Sequence, residues 1–374
     1  MARYYVIAGE SSGDLHGANL MKSLRQQDPD AVFRFWGGDR MSALAGQPVK
    51  HIRELAFMGF LEVLLNLRTI MHNIRLCKDD LVKFNPDVLI LIDYPGFNLR
   101  IAEFARRQRI KVVYYISPQI WAWKQNRIKK IKKTVDKMLV ILPFEKDFYA
   151  SLGMEVEFVG HPLLDEVLPI RESADYSTFV RKNQLPEKPV VALLPGSRKQ
   201  EVSRMLKDMM AVAAHFPRHQ FVVAGVSGLG KDFYQQLTHS ANTAVVFDQT
   251  YSLLANSNAA LVASGTATLE TALFDVPQVV CYTANPISYA IARRLVKIKY
   301  ISLVNLIMDR PVLKELIQKD FNGQSLKDEL TRLLDDQAYR NAMHGAYREL
   351  ENVLGGQGAS DKAAALAVKL AKSV

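Results

Sequence analysis

Cysteine is almost missing from this 374-residue chain: Cys77 and Cys281 are the whole complement. They belong to no C-x-x-C pair and read as buried thiols in a reducing compartment. No stretch reaches the ~18 unbroken apolar residues of a membrane span. The longest greasy run, LAFMGFLEVLLNL, is interrupted by Glu62. The opening MARYYVIAGESSGD has too short an apolar stretch for a secretion signal, which predicts a cytoplasmic location. Neither G-x-G-x-x-G nor G-x-x-x-x-G-K-[ST] occurs, so dinucleotide and Walker-type ATP sites lose their best support. No G-x-S-x-G is present, and neither cysteine neighbours a candidate base. Asp28 and Asp30 form the only Asp-x-Asp, and it reads as a turn between a helix and a strand. His215 and His219 are four apart, but Pro217 between them argues against a helical ligand pair. No metal and no cofactor is expected. Acidic residues are also short: 38 against 48 basic ones, for a net charge of +10. That balance favours an anionic partner, whether nucleic acid, an acidic membrane surface or a phosphorylated substrate.

What is present is a long alternation of strands and helices. The length suits roughly two domains of about 150 residues each, both large enough for a full core. Apolar residues make up 49% of the chain, a globular composition. RYYVIA, DVLILID, KVVYYIS and KMLVILP are apolar runs separated by helical patterns. After a polar, proline-containing stretch from Pro169 to Pro189 the pattern restarts with VVALLP, QFVVAG, AVVFD, AALVAS and PQVVCY. Continuous apolar strands alternating with helices predict parallel sheets covered on both faces. The expected class is α/β: two Rossmann-like doubly wound domains, 1–168 and 169–357, facing across a cleft. A last helix over 358–374, with Ser360 as its N-cap, either packs back on the first domain or swaps in a dimer. In such folds ligands bind outside the carboxyl ends of strands, so strand-end motifs carry the functional signal.

LILIDYPGFNLR, residues 89–100, runs a buried strand into Asp93 and a Pro-Gly turn. Helix cap, metal ligand, catalytic base and turn residue are all open for that carboxylate. In IAGESSGDLHGANL a strand ends at Ala8, and Gly9, Gly13 and Gly17 follow at four-residue spacing. Small residues there let a ligand approach the backbone, and Glu10, Ser11, Ser12 and Asp14 cluster more polar groups than a turn capped by Ser12 requires. VVALLPGSRKQEV ends its strand at Leu194 and places Gly196, Ser197 and Arg198 at a helix N-terminus. Free N–H groups and the dipole attract anions there, and an arginine can grip a phosphate in bidentate fashion. A solvated arginine beside an ordinary turn fits the same residues. AALVASGTATLETALF repeats the pattern with Ser264, Gly265 and Thr266. Thr266 and Glu270 share a helix face, where a carboxylate suits a ribose or simply the dipole. Two such sites in one domain point to a nucleoside diphosphate donor.

KQNRIKKIKKTVDK (124–137) holds seven Lys/Arg and one acid, and follows SPQIWAWK with two tryptophans that read as exposed. FMGFLEVLLNLRTIMHNIRL (57–76) is apolar on most helical faces. Phe57, Phe60, Leu61, Leu64, Leu67, Met71 and Ile74 make a core-like stripe, while Met58, Val63 and Leu65 spill beyond it. The surplus beside Arg68 and Arg75 suits a helix dipping into lipid. Basic residues with aromatics suit RNA equally.

Ten blocks, among them IAGESSGD, ELAFMGFLEVL, IDYPGFN, YISPQIWAWKQNRIKKI, LPFEKDFY, FVGHPLLDEV, LLPGSRKQEV, ASGTATLE and SLVNLI, resemble the lipid-A-disaccharide synthase family in order and from end to end. The resemblance implies a GT-B glycosyltransferase that is metal-independent and inverting. It implies the substrates UDP-2,3-diacylglucosamine and 2,3-diacylglucosamine 1-phosphate, and as products the β(1→6) disaccharide 1-phosphate and UDP. It also implies peripheral association with the anionic cytoplasmic face of a Gram-negative inner membrane, no nucleic acid, and a homodimer in some members. The family's essential aspartate falls on Asp93 and its phosphate-binding arginine on Arg198. Glu270 and Asn305 belong to the donor side, with Gly196, Ser197, Ser264, Gly265 and Thr266. Glu10, Ser12, Gly13 and Asn98 fall on the acceptor side. Phe57, Met58, Phe60, Leu61, Leu64, Arg68, Lys129, Lys130, Lys132 and Lys133 are the expected membrane contacts. Tyr94 and Gly96 depart from the Asp-Ala-Pro-Asp-Phe-Asn of many members, so the second acid of that block has no counterpart. Val304 replaces a usual proline, and Asp39 another. With this resemblance Asp93 reads as the base for the acceptor hydroxyl. The alternatives are a UDP-N-acetylglucosamine 2-epimerase or a peptidoglycan glycosyltransferase of the same architecture, and a basic RNA-binding protein.

Overall fold

The computed structural model describes residues 2–55, 66–238, 242–285, 289 and 299–373. The chain forms two compact units, Met1–Pro162 with Leu354–Val374, and Leu163–Val353. The first holds a seven-stranded sheet: β1 (Arg3–Ala8), β2 (Val32–Gly37), β3 (Lys50–His51), β4 (Val88–Ile92), β5 (Lys111–Tyr115), β6 (Lys137–Val140) and β7 (Glu157–Phe158). The second holds six strands: β8 (Val190–Leu194), β9 (Gln220–Gly225), β10 (Thr243–Phe247), β11 (Ala259–Ala263), β12 (Gln278–Tyr282) and β13 (Glu315–Ile317). Every pairing is parallel. This gives the two doubly wound α/β units that the apolar runs predict.

The runs are buried on both faces because a parallel sheet needs crossover helices on each side. In the first unit Tyr5, Ile7, Leu89, Leu91 and Tyr114 face one core, and Tyr4, Val6, Ile90, Val113 and Tyr115 face the other. Alternate residues of one strand thus feed two separate hydrophobic layers.

Strand order decides where ligands go. It is β3-β2-β1-β4-β5-β6-β7 in the first unit and β10-β9-β8-β11-β12-β13 in the second. Both orders reverse direction once, between β1 and β4 and between β8 and β11. Crossovers leave to opposite sides at such a point, which opens a crevice at the strands' carboxyl ends.

Several local expectations are corrected. The polar break at 169–189 carries helix of its own: Pro169 lies inside the helix Leu163–Glu172, and Tyr176–Lys182 is helical. The Asp175 carboxylate caps that second helix by accepting from the Ser177 and Thr178 N–H groups. Ser360 is not an N-cap. Gly358 takes that position, and Ser360 lies buried in the first turn of Ala359–Lys372. This last helix packs on Ser11–Gln27 within the first unit. Lys111 reaches it by donating to the Leu370 carbonyl at 3.1 Å. In the helix Leu67–Phe84, Ile74, Cys77 and Leu81 face the core while Met71 is 47% exposed, so the predicted stripe is rotated there. Cys77 and Cys281 are both buried free thiols, and burial raises their pKa well above the usual thiol range. Among the described residues no helix is long and apolar enough to cross a membrane.

Candidate active site

In the first unit the reversal between β1 and β4 brings together two stretches 84 positions apart, because Ala8 pairs with Ile92. Just beyond this rung lie Glu10 and Asp93. Asp93 and Tyr94 both take left-handed backbone conformations, φ 42° and 45°. Such residues carry strain of about 1–3 kcal/mol each and persist where surroundings over-determine them. Here the Asp93 N–H donates to the Tyr115 carbonyl at 3.2 Å. Its carbonyl accepts from Asn98 Nδ2 at 2.8 Å and from the Tyr114 hydroxyl at 2.5 Å. All three bonds hold the Asp93 backbone and leave its carboxylate to other work. Pro95 opens the helix Pro95–Arg107, whose first position needs no N–H. The Tyr94 ring lies directly over Gly9, where an added Cβ would sit 2.4 Å from ring Cγ. Gly9 is therefore required by this packing.

Burial is the main force on the Asp93 carboxyl, and the Glu10 charge adds to it; together they push it up to about 7. The Tyr94 backbone N–H and Arg127 pull the other way. Both protonation states are then accessible at neutral pH, as a general base requires. Glu10 also accepts from Ser12 Oγ at 3.0 Å. Gly13 is buried, and an added Cβ would come within 3.2 Å of Ala8 Cβ, so it serves helix–strand packing. Asn98 is fully buried, with Nδ2 also donating to the Ile92 carbonyl at 3.2 Å; it positions Asp93.

In the second unit the reversal between β8 and β11 carries a cavity of about 430 Å³. Gly196, Ser197, Arg198, Ser264, Gly265, Thr266 and Glu270 all line it, joined from unpredicted directions by Glu201, Val226 and Thr250. Two helix N-termini open onto it, Lys199–Ala213 and Thr266–Leu273. Gly196 has φ 106°, and a Cβ there would meet Glu201 Oε2 at 2.6 Å, so only glycine fits this turn. Arg198 is the N-cap, with Nη1 3.3 Å from Glu201 Oε1 and a side chain 64% exposed. An exposed pair of this kind is worth about 0–1 kcal/mol, little resistance to a phosphate taking its place. Ser264 Oγ donates to the Ile301 carbonyl at 2.9 Å. Glu270 is raised by burial and lowered by the Tyr251 hydroxyl, which donates to Oε1 at 2.9 Å.

Asn305 does not line this cavity. It is buried, and its Nδ2 donates to the Leu313 carbonyl at 2.9 Å and Glu315 Oε1 at 3.0 Å. Its Oδ1 accepts from the Leu313 N–H at 2.8 Å. Its amide is spent tying the helix Leu303–Met308 to Leu313 and the strand at Glu315. Sequence motifs could not reveal Tyr251, which lies 19 positions from its partner on another helix, nor Arg127, hidden in a run of lysines.

Of the expected membrane contacts, Phe57, Met58, Phe60, Leu61 and Leu64 lie outside the described residues. Arg68, Lys129 and Lys133 are exposed. Lys130 is paired with Glu103 at 2.8 Å, and Lys132 donates to the Leu152 carbonyl. Trp123 is exposed, but Trp121 is half-buried, edge-on to Phe144 at 5.1 Å. Among the described residues no group of three or more His, Cys, Asp or Glu side chains could hold a metal ion.

Two doubly wound parallel sheets, each with polar strand ends at its reversal point, are the architecture of GT-B glycosyltransferases and of the sugar-nucleotide epimerases built like them. UDP-GlcNAc 2-epimerase from Neisseria meningitidis superimposes with a TM-score of 0.68 at 14% identity, over 99% of this chain and 100% of its own. The glycosyltransferase of kitacinnamycin gives 0.67 at 14% identity, over 99% of both chains. The sequence pattern described as lipid-A-disaccharide synthetase matches residues 4–369. The lipid-A-disaccharide synthase of Trichlorobacter lovleyi is 38% identical over 98% of this chain and 97% of its own length. The chain belongs to the lipid-A-disaccharide synthetase family and is a glycosyltransferase.

Proposed function

We propose that the protein transfers 2,3-diacylglucosamine from UDP to the 6-hydroxyl of 2,3-diacylglucosamine 1-phosphate, with inversion and without a metal. The acceptor's O6–H proton passes to the Asp93 carboxylate as O6 forms its bond to the donor's C1. The bond from C1 to the diphosphate oxygen breaks, and its electron pair leaves with UDP. The growing negative charge falls on Arg198 and the two helix N-termini, and Glu270 takes the ribose hydroxyls. Exposed Lys129 and Lys133, with the 57–64 segment, seat the molecule on anionic lipid. The observation that carries the reading is the Asp93 carboxyl, poised near neutrality at a strand reversal in a chain of this family.

Incubation with both acylated substrates, followed by mass analysis, should give the disaccharide 1-phosphate and UDP. Interconversion of a UDP-sugar with no acceptor present defeats the proposal in favour of an epimerase.

Two smaller effects follow. kcat/KM should fall about tenfold per pH unit below about 7, as Asp93 takes up its proton, and level off above it. Glu10→Gln should move that midpoint down, because the Glu10 charge holds it up. An unchanged midpoint contradicts the pairing. Tyr251→Phe should raise KM for the UDP-sugar about 3- to 10-fold, the weight of one hydrogen bond to a buried acid, with kcat nearly constant. A loss in kcat alone would place Tyr251 elsewhere in the reaction.

A further inference from the structure

The first unit places a cation, Arg127, close enough to act on Asp93, and a second, Lys124, against the same tryptophan. The loop after β5 passes Trp123 and Lys124 and enters a short 3-10 turn, Gln125–Arg127. Lys124 takes φ 56°, which turns the chain back there. Trp123 is 47% exposed, and two cations share its ring. The Lys124 ammonium lies 4.3 Å from the ring centroid and the Arg127 guanidinium 5.4 Å.

Two other cations of this unit are neutralised, Arg106 by Asp136 at 2.9 Å and Lys130 by Glu103 at 2.8 Å, while Lys129 and Lys133 are exposed. Lys124 and Arg127 have no such carboxylate within ion-pair distance among the described residues. Two like charges over one indole repel, and an exposed cation–π contact returns only about 0.5–1 kcal/mol. A dianion between them removes the repulsion and accepts from both, with the guanidinium fork suited to two phosphate oxygens. Arg127 is also close enough for its charge to act on Asp93 and on Tyr114.

We propose that Lys124 and Arg127, both against the Trp123 ring, form the subsite for a phosphate monoester on the acceptor. This rests on the acceptor reading above and deepens it. A phosphate fixed at one end of the sugar limits which hydroxyl reaches Asp93. The subsite therefore selects the phosphorylated acceptor and helps set the linkage position.

The test uses the full chain in neutral detergent at pH 8.5, where Asp93 is ionised. Initial rates are compared for 2,3-diacylglucosamine 1-phosphate and for the same lipid sugar without its phosphate. The wild type should prefer the phosphorylated acceptor in kcat/KM. Arg127→Gln should cut that preference about 10- to 100-fold, mainly through KM, the weight of charged hydrogen bonds. Arg127→Lys should restore part of it, and Lys124→Gln should show a smaller loss of the same kind. Equal losses on both acceptors mean a structural role and overturn the proposal, as does a wild type indifferent to the phosphate. A second arm measures sedimentation with phosphatidylglycerol vesicles. If Arg127→Gln weakens that binding while the acceptor preference stays intact, the cations meet lipid headgroups and the proposal falls. A wild type that makes no disaccharide overturns the acceptor reading and this subsite together. A wild type that makes it, with preference unmoved by either variant, overturns the subsite alone.

Discussion

Asp93→Asn should lower kcat by roughly 10²–10⁴-fold while leaving UDP affinity within about twofold of wild type. The substitution is a clean one for a physical reason. Asparagine tolerates the left-handed backbone that Asp93 adopts at φ 42°. The bonds from Asn98 and Tyr114 and to Tyr115 engage backbone atoms of residue 93, which the variant keeps. What disappears is a carboxyl whose pKa burial and Glu10 have raised to about 7. A group raised on folding contributes stability that is complete below its unfolded pKa, near 4, and is lost as pH climbs through about 7. The neutral amide has no such loss. The variant's Tm should therefore gain on wild type between pH 5 and pH 8, as activity collapses. Differential scanning calorimetry and single-turnover kinetics read the two effects. A kcat within tenfold of wild type removes Asp93 from the chemistry.

The second large effect is expected from Arg198→Ala: a loss of roughly 10²–10³-fold in kcat/KM for the UDP-sugar. The guanidinium is exposed and its ion pair with Glu201 is a weak one, so folding should not suffer. Gly196→Ala tests the same turn from the backbone side, since its Cβ would collide with Glu201. In the proposed reaction the diphosphate charge falls on Arg198 and two helix N-termini, so chelation with EDTA should leave the wild-type rate unchanged. A strict Mg²⁺ requirement, or an Arg198→Ala enzyme of ordinary efficiency, contradicts the assignment.

Much of the scaffold could be read from residues in order. RYYVIA matches β1, DVLILID contains β4, and AALVAS contains β11, because a strand buried on both faces must be apolar at every position. The short edge strands β3, β7 and β13 carry no such signal: two or three residues are too few to show a period. The helix at Tyr176–Lys182 was hidden because its polar surroundings and nearby prolines read as a break in the pattern, and only the Asp175 cap marks its start. Asn305 illustrates a different limit. Its motif placed it among donor-side residues, whereas its amide is consumed by Leu313 and Glu315, a pairing that depends on how a helix packs against a strand.

The residue order by itself determined the class of fold, the strand-end positions of Asp93, Arg198 and Glu270, and the family, since those follow from local hydrophobicity and from motifs in register. Only the folded chain decided which strand ends stand together. The sheets reverse between β1 and β4 and between β8 and β11, so Glu10 comes beside Asp93 and Arg198 shares a cavity with Glu270. Charge and burial act through space and not along the chain, which is why the altered acidity of Asp93 exists only in three dimensions.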